Sequence, residues 1–298
     1  MHVIETFLNR ASDLVWSWPL IILLLGTHLY LTFRLKFIQK HIGRAIKISF
    51  SMKKEGEGDV SQFASLMTAL AATIGTGNIV GVATAVASGG PGAVLWMWLT
   101  GVFGIATKYG EALLAVKYRI TTADGTMAGG PMYTLERGMG KKWLGILFAA
   151  FTAIAAFGIG NTVQANSIAV LLKDVMHISP WLSGSVMTVL AAAVILGGIK
   201  SIARTCSALV PFMAVFYVVG CLVILAINFR AVPDALALIF TSAFSGQAAI
   251  GGFLGAGMKE AVRYGVARGE TVYQPGVGSA AHTSAPAPTE TAVRQPLV

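Results

Sequence analysis

The sequence alternates long apolar runs with short polar and basic stretches. A helix needs about 20 apolar residues to cross a bilayer, and seven runs approach or exceed this length. Apolar runs this long predict transmembrane helices rather than strands. They cover residues 14–33, 62–86, 92–116, 143–172, 181–199, 206–229 and 234–258. The pattern therefore predicts an all-α membrane protein with about seven transmembrane helices.

Two of the predicted spans contain small polar residues and glycines where a spanning helix should be continuous. The first cluster reads AATIGTGNIVG at 71–81, and the second reads FSGQAA at 244–249. At membrane depth, main-chain groups released from helical pairing are tolerated only where they are buried in protein or line a solvated cavity. Each interruption is therefore a candidate binding site.

The two interruptions share a glycine spacing that suggests an internal repeat. Gly75 and Gly81 are spaced like Gly246 and Gly252. An odd number of predicted spans separates the start of the first broken segment from the start of the second, so the two segments cross the membrane in opposite directions. Inverted repeats with broken helices are typical of secondary transporters.

Composition and charge support the membrane assignment and predict an orientation. The chain is 55% hydrophobic and 12% charged, and its mean hydropathy is +0.71. The net charge of +9 could suggest nucleic-acid binding, but most of the 22 Lys and Arg residues fall in loops on one side. The positive-inside rule makes that side cytoplasmic. We therefore expect a multi-pass protein of the plasma or inner membrane, with its N-terminus outside, its C-terminus in the cytoplasm and no nucleic-acid partner.

Basic residues are densest in the segment 34–54. Besides setting the topology, such a segment is suited to bind anionic headgroups of the lipid bilayer. Both roles remain open at this point.

The spans and loops divide the chain into four predicted parts. Residues 1–61 form an N-terminal transmembrane helix and a basic cytoplasmic segment, and residues 62–230 form a first five-helix repeat. Residues 231–268 form the broken first helix of a second repeat, and residues 269–298 form a flexible cytoplasmic tail. A complete second repeat would need about four further spans, so we expect the chain to be shortened at its C-terminal end.

The sequence contains no pattern typical of an enzyme or a metal centre. It has no Gly-x-Ser-x-Gly, His-Glu-x-x-His or Cys-x-x-Cys motif, and its two cysteines predict neither a disulfide nor a zinc site. His28 has no metal-binding partner at a suitable spacing and is predicted to be structural. Lys108 and Glu111 lie within one predicted span, where they are either a structural ion pair or gating residues.

Several longer motifs resemble those of the alanine or glycine:cation symporter family. Beside 71–81, they are GGPGA at 89–93, ATKYGEALLAVKYR at 106–119, GGPMY at 129–133 and GNTVQAN at 160–166. The resemblance covers about residues 62–268. It implies a leucine-transporter-like core of two inverted repeats, here partial, and sodium-coupled symport of small neutral amino acids such as alanine or glycine.

The resemblance weakens after Arg268. The family usually reads Ser-Asn-Glu-Ala-Gly in this region, whereas the run 269–280 keeps the glycines and lacks the Asn-Glu pair. An alternative function is therefore a non-transporting, truncated membrane protein or a subunit that packs against other helices. Its small-residue faces would include Gly77 with Gly81, and Gly251 with Gly255. The sequence does not indicate an oligomeric state.

The first interruption offers main-chain groups to both ends of an amino acid. Thr76, Gly77 and Asn78 begin the second half-helix, where free N–H groups favour a carboxylate. The resemblance implies that the carbonyls of Ala71 and Ile74 bind the sodium ion, a hard cation that prefers oxygen ligands.

Side chains and the second interruption complete the predicted site. Asn161 and Gln164 lie three residues apart, which in an α-helix places both on one face. They are suited either to bind a substrate or to join neighbouring helices, and the resemblance favours substrate contact for Gln164. In the second interruption, Ser245, Gly246 and Gln247 are candidates to contact the ammonium group.

Overall fold

The computed structural model describes residues 2–49, 61–244 and 258–274, and this part of the chain is predominantly α-helical. One short antiparallel hairpin joins strands β1 and β2. The helices are α1 His2–Val15, α2 Trp18–Arg34, α3 Ile42–Ser49, α4 Gln62–Thr73, α5 Val82–Gly89, α6 Ala93–Lys117, α7 Pro131–Tyr133, α8 Lys142–Ala155, α9 Val163–Met176, α10 Pro180–Ile195, α11 Gly198–Ile227, α12 Val232–Phe244 and α13 Met258–Tyr273; the strands are β1 Ile120–Thr121 and β2 Met127–Ala128.

Three helical stretches of the described residues are long and apolar enough to cross a membrane: Thr6–Arg34, Lys142–Met176 and Gly198–Ile227. The broken pair Phe63–Thr73 and Gly77–Gly89 makes a fourth candidate if it counts as one span. Few residues of the three long stretches are buried in the protein, as expected for surfaces that face lipid. These features confirm an all-α membrane protein. The seven spans and the inverted repeat stay predictions.

The local sequence explains where several helices begin, and some helices contain π-helical turns. Pro19 and Pro180 stand in the first turns of α2 and α10, where the missing N–H group of proline costs no helical hydrogen bond. Ser61 caps α4 by accepting a hydrogen bond from the main-chain N–H of Ala64 at 3.2 Å. In the described part of the chain, three segments adopt the wider π-helical turn, which is frequent at functional sites: Gly77–Gly81, Thr134–Gly138 and Ala156–Thr162.

The chain divides into two compact units. The first unit comprises the described residues of Met1–His41, Gly77–Gly110 and Phe216–Val277. The second comprises those of Ile42–Thr76 and Glu111–Val215.

Helix α13 organises the first unit. It packs against α2, α5 and α12. Its apolar residues enter two buried clusters, one around Val272 and the other around Val262 and Val266. Glycines allow close packing, because a Cβ atom on Gly265 would lie 2.5 Å from the carbonyl oxygen of Ala93.

The same helix extends beyond the expected start of the tail. We predicted a flexible segment from residue 269, but α13 continues to Tyr273. Glu270 and Val272 are buried in the first unit, and this packing holds the end of the helix in place. The residues from 275 onward lie outside the described part of the chain.

The second unit holds α8, α9 and α10, with the hairpin between α6 and α7. In the hairpin, Ile120 pairs with Ala128 and Thr121 pairs with Met127. The turn requires a positive φ of 81° at Gly125, a conformation that glycine adopts without strain.

Candidate functional site

The predicted interruption of the first broken helix is confirmed. The last α-helical hydrogen bond of α4 joins the N–H of Ile74 to the carbonyl of Leu70 at 2.7 Å. Ile74 then adopts an extended conformation, with φ −87° and ψ 105°. Glycine and β-branched residues have low helix propensity, so the run from Thr73 to Thr76 favours a break. The carbonyls of Ala71 and Ile74 follow the last α-helical hydrogen bond.

Gln164 lies directly against this break, within the second unit. The hydroxyl of Thr76 donates a short hydrogen bond to Oε1 of Gln164. A Cβ atom on Gly75 would lie 3.9 Å from Oε1 and 4.0 Å from Nε2 of the same side chain. The side chains of Thr76 and Gln164 are both half-buried. Residues predicted separately from a helix break and from a distant helix are thus brought together.

The amide nitrogen of Gln164 gives this arrangement a donor for a ligand. Because Oε1 accepts the hydrogen bond from Thr76, Nε2 is the donor end of this amide. A primary amide donates hydrogen bonds readily to a carboxylate. Carbonyl groups of the break are acceptors for an ammonium group and ligands for a hard cation. The break therefore presents both a hydrogen-bond donor and carbonyl acceptors to a ligand.

Asn161 is not brought to the break. Its side chain is exposed, and Nδ2 donates to the carbonyl of Ala156 at 3.2 Å. The spacing argument assumed an α-helix, but Asn161 belongs to the π-helical segment Ala156–Thr162 and Gln164 to α9. The wider turn changes the relation between the two side chains, so only Gln164 lies at Thr76.

Gly77 and Asn78 belong to the first unit, and both lie in the π-helical segment that follows the break. Val272 of α13 packs on this segment, since its Cγ2 atom would lie 3.7 Å from a Cβ atom on Gly77 and 4.0 Å from one on Gly81. The hydroxyl of Tyr217 lies 3.5 Å from the carbonyl of Asn78, at the limit of a hydrogen bond.

The candidate residues of the second interruption, Ser245, Gly246 and Gln247, lie outside the described residues. Gly251, Gly252 and Gly255 do too. Their role stays a prediction.

Sequence reasoning predicted a structural His28 but not its partners. The structure buries this side chain completely, in contact with Thr107 and Glu270. The available signal was a polar side chain in an apolar span, but its partners are distant in sequence. Lys108 also has a partner that spacing did not predict, because its ammonium group donates to the carbonyl of Tyr273 at 3.0 Å.

Comparisons with known proteins indicate the family. The model of the sodium:alanine symporter family matches residues 1–298. A sodium/alanine symporter of Methanococcus maripaludis is 49% identical over 300 residues, which cover 98% of this chain and 65% of that protein. An uncharacterized transporter of Haemophilus influenzae is 52% identical over 99% of this chain and 65% of its own length. A probable sodium/glutamine symporter of Bacillus subtilis is 35% identical over 100% of this chain and 62% of its own length. The chain thus spans less than two thirds of the length of these relatives.

Proposed function

The chain belongs to the sodium:alanine symporter family, and we propose that it supplies the first broken helix of a sodium-coupled amino-acid symporter. The observation that carries this proposal is the position of Gln164 on the helix break at Gly75 and Thr76. A broken helix with a polar side chain against it is the recurring form of a transporter site. The chain is a multi-pass membrane protein, and the bilayer is its first partner.

The substrate of this proposal is a zwitterion. Its carboxylate accepts hydrogen bonds from Nε2 of Gln164 and from the main-chain N–H group of Thr76, while Gly77 and Asn78 stay candidates from the sequence alone. For its ammonium group, Ser245, Gly246 and Gln247 of the second interruption stay the candidates that the sequence predicts. Asn161 is not among the proposed substrate contacts.

Sodium is the proposed coupling ion. The carbonyls of Ala71 and Ile74 are two of its proposed ligands, because a break leaves them without α-helical partners. Sodium bound there stabilises the broken conformation, so that ion and substrate bind together. Rocking of helix bundles around the site then exposes it to each side of the membrane in turn.

A small neutral amino acid such as alanine or glycine fits the proposed site best. Gln164 already lies near van der Waals distance of a Cβ atom at Gly75. The relatives' names differ in substrate, one being a sodium/alanine and another a sodium/glutamine symporter. Substrate choice therefore needs a direct test.

The test is uptake of labelled alanine by proteoliposomes that contain this chain, with and without an inward sodium gradient. We expect sodium-dependent uptake above that of empty vesicles. Gln164→Ala should lower uptake about 10- to 100-fold, because a hydrogen bond to a charged group is worth about 1.5–3 kcal/mol. Asn161→Ala is the matched control and should transport like the parent chain. Equal losses in both variants, or none in Gln164→Ala, would contradict the assigned site.

A second candidate function is that of a non-transporting membrane protein that packs against other helices. The small residues of its Gly77–Gly81 face do accept a close neighbour, but that neighbour is Val272 of α13 within this chain. Folded protein that takes up no alanine above empty vesicles, with or without sodium, would favour this candidate.

A further inference from the structure

The turn after α2 carries exposed basic and aromatic side chains where a candidate membrane span ends. That span is Thr6–Arg34. The turn belongs to the first unit. Its exposed side chains, which we call the basic–aromatic turn, are Phe33, Arg34, Lys36, Phe37 and Lys40. A spanning helix ends where the hydrocarbon of the bilayer gives way to headgroups, so a span that ends at Arg34 places this turn at the membrane boundary.

The two phenylalanine rings of the turn form one exposed apolar surface. The rings of Phe33 and Phe37 meet edge to face, with their centroids 5.3 Å apart. The exposed fractions are 64% for Phe33 and 49% for Phe37. Contact of this apolar area with water is unfavourable. Phenylalanine is typical of protein surfaces that lie at a membrane interface, so the pair is suited to the boundary between headgroups and acyl chains.

The three cations of the turn have no acidic partner in the described part of the chain. Arg34, Lys36 and Lys40 take part in neither of the ion pairs found there. Along the sequence, no Asp or Glu occurs between Asp13 and Glu55. The positive charge of the turn is therefore not compensated by neighbouring side chains, and an anionic phosphate group is its complementary ligand.

Hydrogen bonds hold the backbone of the turn in an unusual conformation. Lys36 and Phe37 have positive φ angles of 52° and 58°, which are uncommon for residues other than glycine. The N–H of Phe37 donates to the carbonyl of Thr32 at 2.8 Å. Nε2 of Gln39 donates to the carbonyl of Val102 on α6 at 3.1 Å. Because these bonds fix the turn to the first unit, a ligand does not have to order a free loop.

We propose that the basic–aromatic turn binds the headgroup of an anionic phospholipid. The lipid phosphate accepts hydrogen bonds from the three cations, and the two rings lie against the upper part of the acyl chains. An acidic protein segment matches the charge alone, whereas a lipid at the end of a span matches both the charge and the apolar rings. The proposal does not depend on amino-acid transport, because it concerns the membrane that surrounds the chain.

The same cations also contribute to membrane topology, and a purely topological role makes a different prediction. The positive-inside rule acts while the chain is inserted into the membrane. It requires no preference of the purified, folded protein for one lipid headgroup over another. Lipid binding by purified protein therefore separates the proposed site from a topology signal.

Native mass spectrometry of the purified chain in detergent provides this test. The protein is titrated with phosphatidylglycerol and, separately, with phosphatidylcholine that has the same acyl chains. The first variant combines Arg34→Gln, Lys36→Gln and Lys40→Gln. Its affinity for phosphatidylglycerol should fall about 10- to 100-fold relative to the parent chain, because each basic residue near an anionic surface contributes about fivefold. Its affinity for phosphatidylcholine should stay unchanged.

The matched control keeps the charge of the turn. A variant that combines Arg34→Lys, Lys36→Arg and Lys40→Arg should bind phosphatidylglycerol like the parent chain. Glycerol phosphate, which has the phosphate group but no acyl chains, should not displace the lipid. If the first variant does not fold, Lys40→Gln alone replaces it, with an expected loss of about fivefold.

Three results would overturn the proposal. The first is equal affinity of the parent chain and the glutamine variant for phosphatidylglycerol. The second is an equal loss in the variant that keeps the charge, which would assign the effect to a disturbed turn. The third is displacement of the lipid by glycerol phosphate, which would make the turn a site for free phosphate groups.

Discussion

Gly265 and Gly220 are both helical glycines, but their surroundings differ. A Cβ atom on Gly265 would lie 2.5 Å from the carbonyl oxygen of Ala93 and 2.6 Å from Cβ of Trp96. A Cβ atom on Gly220 would have no neighbour within 4 Å. The first glycine is needed for the packing of α13 on α6, whereas the second faces open space on α11.

We therefore expect opposite effects from the same substitution. Gly265→Ala should lower the free energy of unfolding by about 1–3 kcal/mol, because rigid atoms must move apart. Gly220→Ala should be neutral or raise it by up to about 1 kcal/mol through helix propensity. Unfolding in detergent micelles measures both. Equal effects would contradict the close approach at Gly265.

Thr76 matters at the same scale, because its hydroxyl holds the amide of Gln164 in one orientation. Thr76→Val should leave Oε1 of Gln164 without its donor, at a cost of about 1 kcal/mol. Alanine uptake should fall about fivefold. Thr76→Ser keeps the hydroxyl and should transport like the parent chain. A serine variant as impaired as the valine variant would assign the effect to shape rather than to the hydrogen bond.

At the scale of secondary structure, the hairpin β1–β2 contains the clearest electrostatic feature outside the predicted spans. The hydroxyl of Thr122 donates to Asp124 and lowers the pKa of this carboxyl below its ordinary value of 3.8, and main-chain bonds and Thr126 act in the same direction. A carboxyl with a lowered pKa stabilises the folded turn above its unfolded pKa. This stabilisation is lost as the pH falls through the lowered value.

The hairpin should therefore respond to acid in a defined direction. Below about pH 4 we expect the turn to loosen, with chemical shifts of Thr122 and Thr126 changing together with protonation of Asp124. Asp124→Asn should abolish that response. Because the carboxyl is exposed, we expect a local effect without global unfolding. A titration of Asp124 above its ordinary value would contradict the prediction.

Helix boundaries were predictable where they depend on neighbouring residues. The interruption after Ile74 follows from glycine and β-branched residues, and the structure confirms it. The relative directions of the Asn161 and Gln164 side chains were not predictable. The π-helical segment Ala156–Thr162 changes the rotation per residue around the helix axis, and this segment was not foreseen from the sequence. The end of α13 at Tyr273 depends on burial of its last turn, which no local signal reveals.

At the scale of the whole molecule, orientation in the membrane is the main prediction. Lys141 and Asp174 lie at opposite ends of the candidate span Lys142–Met176. The positive-inside rule places Lys141 in the cytoplasm and Asp174 outside.

Single cysteines test this orientation in a chain whose Cys206 and Cys221 are replaced by alanine. Asp174→Cys should react with a membrane-impermeant maleimide in intact cells, whereas Lys141→Cys should react only after lysis. The reverse labelling pattern would show the opposite orientation in the membrane. Reaction of both cysteines in intact cells would show that Lys142–Met176 does not cross the membrane.

The sequence by itself determined the membrane class, the interrupted helix and the family. These depend on the length of apolar runs, on local helix propensity and on contiguous motifs, all of which act within a few turns of chain. Tertiary structure decided which polar groups meet. Thr76 and Gln164 are 88 residues apart, and His28 and Glu270 are 242 apart. Such contacts form only when helices pack, because an apolar interior leaves each buried polar group dependent on whatever partner the fold brings to it.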